Sequence, residues 1–474
     1  MKLLEQSLGL YTDMYQLSMM QSYFTEGIHD NSAAFDYYFR KLPFEGGFVV
    51  FAGLTELLEN LSEIKFSSQD IDYLHSIKMH DDFLEYLKSF SFNGTITSVA
   101  EGTIVFPVEP ILTVEGRLGE AQFIETLLLN IINFNSLIAT KAARIKLAAG
   151  DRILSEFGLR RSQGLGGIQA SRAAIIGGFD STSNVFAARH FDIPPAGTMA
   201  HSYIQTFDDE LTAFRRFSES NPDGCVLLVD TYNTLKSGIP NAIIVAKELE
   251  EKGFRLKAIR LDSGDLAYLS SQARKMLNDA GLNYVKIVVS NQLDEIVIKS
   301  LLEQGAPVDI FGVGTSLVTG NPDSALDGIY KLSMYNNDPR LKLTESIAKT
   351  SLPGLKKIYR YSDSNNFYQA DAVLLRSEPE CRIIYHPFEI TKSFELDEYK
   401  SEELNKTILL NGELKTKLLK PTIVREIVKE NLSHLPAEYK RFINPHIYKV
   451  GISDKLMKLR DELKTQHQFA QDIK

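Results

Sequence analysis

Five short apolar runs punctuate the middle of this chain, at residues 153–157, 226–229, 256–261, 285–289 and 309–313. The last four begin 30, 29 and 24 residues apart, with helical patterns such as 241–252 and 265–279 in the gaps. A strand that returns to run parallel to its predecessor needs a crossover of about a dozen residues or more, usually a helix. Strand–helix units at this spacing therefore predict a parallel α/β sheet or barrel. The spacing does not choose between a closed barrel and an open doubly wound sheet.

On either side the rhythm is absent. A helix is expected from Thr12 and Asp13, with Met14, Leu17, Met20 and Phe24 on one face. Strict alternation over 33–39 predicts a strand with two unlike faces, followed by a strand over 48–51 and a small β region between 94 and 118. Residues 119–149 read as apolar helix, interrupted near Asn133 and Asn135. Short strands are expected at 341–346, 357–361 and 371–375, then a Lys/Glu-rich helical tail to Lys474. The predicted division is an N-terminal α+β domain over 1–120, a central α/β domain carrying the active site over 121–335, and a C-terminal β/helical region over 336–474.

Charge and cysteine content narrow the partners. The 52 Lys+Arg against 61 Asp+Glu leave a net charge of −9, which argues against nucleic-acid or membrane-surface binding. Cys225 and Cys381 are the only thiols, too few for a disulfide framework or a four-thiolate zinc site. Residues 1–10 lack the apolar core of a signal peptide, and no run approaches ~18 uninterrupted apolar residues. A cytoplasmic protein is expected.

In parallel α/β folds, ligands bind beyond the carboxyl ends of the strands, where loops hold polar groups over an apolar floor. Every run here ends in such a loop. Gly158, Arg160, Arg161 and Ser162 follow the first; Asp230, Thr231 and Asn233 follow the second. Asp262, Ser263 and Asp265 follow the third, Ser290 and Asn291 the fourth, and Gly314, Thr315 and Ser316 the fifth. Gly312 to Ser316 offer small residues, N–H groups and two hydroxyls, which suits a phosphate nest or an ordinary turn. No lysine follows, so this is not a P-loop. Arg260 interrupts an apolar strand, where an unpaired guanidinium is costly, so it meets a carboxylate or phosphate, from a ligand or from a neighbouring aspartate. Asp262 and Asp265 open a helix, as N-caps, as ligands of a ribose diol, or as ligands of Mg²⁺. Of Arg160 and Arg161, one is expected in the site and one in a structural role. Phe157 taken alone reads as core. Among nine histidines, His201 stands apart in a turn-forming segment with hydroxyls on both sides, able to accept a phosphoryl group or act as acid/base.

Several strings resemble the nicotinate phosphoribosyltransferase family: YTDMYQ from Tyr11, EFGLRRSQG from Glu156, GFDSTSN from Gly178 and GTMAHS from Gly197. So do VDTYN from Val229, RLDSGD from Arg260, FGVGTS from Phe311 and NPHIYKVG from Asn444. The resemblance covers nearly the whole chain. It implies a type II phosphoribosyltransferase fold, an irregular α/β barrel with an N-terminal α+β domain and a C-terminal extension, working as a homodimer with shared active sites. The implied reaction joins ribose 5-phosphate from phosphoribosyl pyrophosphate to nicotinate in NAD salvage, giving nicotinate mononucleotide and pyrophosphate. ATP hydrolysis is coupled through a phosphohistidine, with Mg²⁺ and no tightly bound cofactor.

By the same resemblance, His201 is the phosphorylated residue and Asp230 the carboxylate beside it. Tyr15 of the neighbouring subunit and Phe157 sandwich the pyridine ring; Thr198 and Arg260 lie near nicotinate, and Asp180 matches a position that reads the amide in nicotinamide enzymes. Arg160, Gly314 and Thr315 match phosphate-binding positions. Asp262 lies near the ribose or, with Asp265, the metal. The alternatives are a nicotinamide-specific enzyme, a quinolinate enzyme that decarboxylates without ATP, and a non-catalytic sugar-phosphate-binding barrel.

Overall fold

A computed structural model describes residues 8–343, 351–389 and 391–472. Residues 1–7 of the segment read for a leader, the 344–346 part of the strand expected at 341–346, and the final two residues of the tail lie outside the described residues. Two compact units emerge: 1–137 with 325–419 and 426–474, and 138–324 with 420–425. Among the described residues no helix is long and apolar enough to cross a membrane.

The unit formed by 138–324 and 420–425 carries the rhythm. Its strands are β1 (Ile153–Glu156), β2 (Ser181–Thr182), β3 (Val226–Leu228), β4 (Ala258–Leu261), β5 (Lys286–Ser290) and β6 (Ile310–Val313). All are parallel, in the order β2-β1-β6-β5-β4-β3. The two edge strands are joined by the segment 194–198. Thr182 N–H donates to the Pro194 carbonyl (3.1 Å), Ala196 N–H donates to the Thr182 carbonyl (2.9 Å), and the Thr198 hydroxyl donates to the Val226 carbonyl. The ring of strands thus closes through an irregular segment, and the choice left open by the spacing falls to a barrel. Leu154, Leu227, Ile259, Ile287 and Phe311 are fully buried, as parallel strands covered on both faces require. Helices start promptly after the strands because the loops end in capping residues. Asn184, Asp265 and Asp294 each accept a backbone N–H from the first turn of the following helix. A buried ion cluster braces this unit, with Glu295 between Lys141 Nζ (2.6 Å) and Arg144 Nε (2.8 Å).

The other unit is built on a seven-stranded and a six-stranded sheet. Residues 33–39 do form a strand, Ser32–Phe39, but it is not half-exposed: seven of its eight residues are buried. Its polar member Asp36 is neutralised by Lys356 (2.8 Å) and receives the Thr113 hydroxyl (2.7 Å), so alternation here marks two covered faces. The helix break expected near Asn133 and Asn135 falls instead at Ile124, between Leu118–Phe123 and Glu125–Ala149. Both asparagines are absorbed by hydrogen bonds, Asn133 from the Tyr37 hydroxyl and Asn135 to the Ile131 carbonyl. Residues 341–343 carry no strand. The Lys/Glu-rich tail is not wholly helical: Lys400–Glu403 and Lys406–Leu410 are strands, and Pro421–His434 and Asp454–Asp472 are helices. Lys400–Glu403 is an edge strand, where charge blocks further pairing.

At the centre of this unit Arg360 and Asp371 form a dry, two-pronged pair. Nε lies 2.9 Å from Oδ1 and Nη2 lies 2.5 Å from Oδ2, with side chains 2% and 0% exposed. Nη2 also donates to the Ile104 carbonyl (2.7 Å), and the Tyr448 hydroxyl donates to Asp371 (3.0 Å). Burial and the Asp371 charge push the neighbouring Glu109 carboxyl well above its usual range.

Candidate active site

Where the barrel strands end, their loops enclose a cavity of about 550 Å³. Its floor is the Phe157 ring, which sits against Gly312 of β6. A Cβ at Gly312 would fall 2.6 Å from that ring, so glycine is what admits the aromatic. Glu156, the last residue of β1, is fully buried beneath this turn. It accepts Gly158 N–H on one oxygen and the Ser171 and Thr182 hydroxyls on the other, tying the ends of β1 and β2 together. Burial raises its carboxyl above the ordinary range, opposed by those three donors.

Arg260 projects from β4 into the cavity. Its Nε donates to Ser290 Oγ (2.9 Å) and its Nη2 to Asp262 Oδ1 (2.7 Å), and the Ser290 hydroxyl donates to the same Asp262 oxygen. The guanidinium carbon lies 5.7 Å from the centroid of the Phe157 ring. An arginine has five N–H donors, and Nη1 donates to no described residue. The pair is 16% and 28% exposed, so it is wet enough to exchange partners.

A second polar group lies beside it. His201 Nδ1 is 3.0 Å from the Thr231 hydroxyl, and Nε2 is 3.9 Å from both Asp230 Oδ1 and Asp262 Oδ2. The Asp230 side chain is 1% exposed. Its Oδ2 accepts Asp262 N–H (2.8 Å) and the Ser263 hydroxyl (2.6 Å), while Oδ1 is buried with no hydrogen-bond donor among the described residues. A buried carboxylate oxygen left unsatisfied costs free energy unless a cation or donor meets it. Facing an imidazole that is 38% exposed, it suits a histidine that changes charge or carries a transferred group.

Residues 10–133, 153–363 and 355–460 match, in turn, the N-terminal domain, the family and the C-terminal domain of nicotinate phosphoribosyltransferase (NAPRTase). A nicotinate phosphoribosyltransferase of Bacillus subtilis is 44% identical over 461 residues, 95% of this chain and 94% of that protein. The chain belongs to the nicotinate phosphoribosyltransferase family. A Caenorhabditis elegans nicotinate phosphoribosyltransferase is 37% identical over 517 residues, 94% of this chain and 92% of its own length. The crystal structure of human nicotinic acid phosphoribosyltransferase shares the fold with a TM-score of 0.86 at 31% identity, covering 95% of this chain and 99% of that one. Membership makes the chain an enzyme, a transferase of NAD biosynthesis.

Set against the residues expected from the family resemblance, the cavity brings together Phe157, Thr198, Arg260 and Asp262 with Arg160, Gly314 and Thr315. Arg161 lines it too, so the two adjacent arginines are not divided between site and structure as expected. Thr198 spends its hydroxyl on the Val226 carbonyl. Asp180 does not line the cavity; it accepts Leu154 N–H (2.9 Å) and faces Arg425 at 3.7 Å. Asp265 accepts Tyr268 N–H (3.0 Å) as a helix cap. Tyr15 belongs to the helix Met14–Thr25 of the other unit, where it is half exposed. Ser290 and Asn291, named from the sequence as the polar end of the fourth run but given no role, line the cavity, as does Gln292, which was not named. Glu156 was also missed, although a carboxylate inside an apolar run was the same signal that drew attention to Arg260.

Proposed function

We propose that this chain transfers ribose 5-phosphate from phosphoribosyl pyrophosphate to nicotinate, coupled to ATP hydrolysis through His201. The observation that carries the reading is Arg260, which lines an aromatic-floored cavity and whose Nη1 donates to no described residue. The nicotinate carboxylate meets Nη1, a charge-assisted bond worth roughly 1.5–3 kcal/mol. Phe157 gives the pyridine ring a stacking face, and Tyr15 from the second subunit of a homodimer gives the other. Arg160, Gly314 and Thr315 hold phosphate oxygens. The ring nitrogen attacks the anomeric carbon, forming the N–C bond as the C–O bond to pyrophosphate breaks. Arginine and backbone donors stabilise the charge that grows on the leaving group, and the stacked ring adds proximity.

His201 accepts the γ-phosphoryl group of ATP at a ring nitrogen, releasing ADP, and water later takes the phosphoryl group to inorganic phosphate. Mg²⁺ fits the carboxylates present. Asp230 Oδ1 has no donor among the described residues, and both Asp230 and Asp262 turn an oxygen toward His201. Mg²⁺ is typically held by one or two carboxylates plus substrate phosphates and water. When bound it would neutralise phosphate charge; Asp262 is the ligand better supported, since Asp265 caps its helix. The expected compartment is the cytoplasm.

The test is a mass-resolved product assay with phosphoribosyl pyrophosphate, Mg²⁺ and nicotinate, nicotinamide or quinolinate in parallel, each with and without ATP. Nicotinate mononucleotide formed preferentially, and faster with ATP, is the expected result. Equal turnover with nicotinamide removes the carboxylate role of Arg260. No mononucleotide from any base, with folded protein, returns the chain to a sugar-phosphate-binding role.

A further inference from the structure

Arg260 presents a problem that its own geometry poses. A carboxylate, Asp262, already lies 2.7 Å from Nη2, and a guanidinium neutralised by one carboxylate has less to offer a second. The natural arrangement for such a pair is two-pronged, as Arg360 and Asp371 show elsewhere in this chain. Arg260 and Asp262 do not reach it. Ser290 stands in the way: its Oγ accepts the Nε proton that a second prong would use, and its own proton goes to Asp262 Oδ1, the oxygen that Nη2 contacts. The serine is 2% exposed, at the last position of β5. The two residues that follow it, Asn291 and Gln292, have φ of 82° and 47°, so the chain turns sharply away and leaves the Ser290 side chain pinned between β4 and the cavity.

We infer that Ser290 is a specificity-determining positioning residue, a hydroxyl wedge that keeps Arg260 and Asp262 singly bonded so that Nη1 stays available to an anionic base. Two effects act together. The hydroxyl proton on Oδ1 withdraws charge from the oxygen that competes for the guanidinium. The acceptor at Nε fixes the guanidinium plane, with Nη2 on the aspartate and Nη1 left to a ligand. Without the hydroxyl, Asp262 closes on Arg260 with both oxygens, and a ligand carboxylate has to displace it. A neutral carboxamide in the same place gains nothing from the charge and loses nothing when it is masked. This inference rests on the proposed reading of nicotinate as the base.

The experiment is a double-mutant cycle of Ser290→Ala and Arg260→Gln, with steady-state kinetics for nicotinate and nicotinamide and thermal melting of each variant. Ser290→Ala is expected to raise KM for nicotinate roughly tenfold, the loss of one charge-assisted hydrogen bond. Its KM for nicotinamide stays near the wild-type value. On the Arg260→Gln background the same serine substitution changes the nicotinate KM by less than about twofold, because the group it positions is gone. Additive effects in the cycle overturn the inference, as does an equal rise in KM for both bases, which marks a merely structural role. An unchanged nicotinate KM in Ser290→Ala, with active wild-type enzyme, overturns it alone. Wild-type protein that makes no nicotinate mononucleotide refutes the underlying reaction, and the serine's role with it.

Discussion

Two arginine–aspartate pairs in this chain show how one chemistry serves two ends. Arg360 and Asp371 are joined by two prongs, 2% and 0% exposed, with Ile104 and Tyr448 taking up further bonding capacity. Arg260 and Asp262 are joined by one, 16% and 28% exposed, with a serine holding them short of the second. Burying a charged pair costs desolvation that good geometry offsets at best, so the dry pair does no better than hold its place. The open pair gives up geometric perfection at the cavity and keeps an N–H free. Breaking the first should cost stability, and breaking the second should cost recognition.

The largest expected effect is on the dry pair. Arg360→Met leaves Asp371 and Glu109 buried without their cation, and should cost about 3–5 kcal/mol, seen as a large fall in melting temperature. A drop as small as that of Arg260→Gln, expected near 1 kcal/mol or less for a partly solvated pair, would erase the distinction between them. Next in size is His201→Ala, which should reduce the ratio of turnover with ATP to turnover without it to about one, since a covalent phosphoryl acceptor has no substitute. Full ATP stimulation in that variant would remove the phosphohistidine.

Smaller, and opposite in sign between the two units, are the pH effects. Glu295 is pushed up by burial but pulled further down by Lys141 and Arg144, to a net value below the ordinary range. Its contribution is therefore present above the unfolded-state pKa and lost as pH falls through the lower folded value. Glu109 is raised, chiefly by burial and then by Asp371. The folded state there holds the extra proton, so stability is full below the unfolded-state pKa and declines as pH rises toward the higher folded value. Melting temperatures across pH should show Glu295→Gln flattening the acid side, and Glu109→Gln stabilising slightly at neutral pH. The same slope in both variants would contradict the assignment.

Much of the barrel was legible because crossover helices impose a spacing that short apolar runs reveal. Arg260 was legible for a related reason: a guanidinium in an apolar strand must have a partner. Asp265 shows the limit of such reading, since the residue type that caps a helix is also the type that binds metal, and only geometry separates the roles. Ser290 carries no charge, so its place at the end of the fourth run marked it only as one polar loop residue among several and gave it no role; its importance comes from Arg260 and Asp262, 30 and 28 residues away. The edge strand Lys400–Glu403 was read as helix because Lys and Glu favour helices, whereas here they protect an exposed edge. Asn133 and Asn135 were read as breaks because their tertiary partners, Tyr37 and Glu56, do not show in a local pattern.

The most direct test of the open pair is the selectivity of Arg260→Gln, the ratio of kcat/KM for nicotinate to that for nicotinamide, measured beside wild type at saturating phosphoribosyl pyrophosphate. Loss of a charge-assisted bond predicts that the ratio falls by roughly 10- to 100-fold, with nicotinamide turnover nearly unchanged. A ratio that stays at the wild-type value would contradict the account, and would place recognition of the nicotinate carboxylate on another residue.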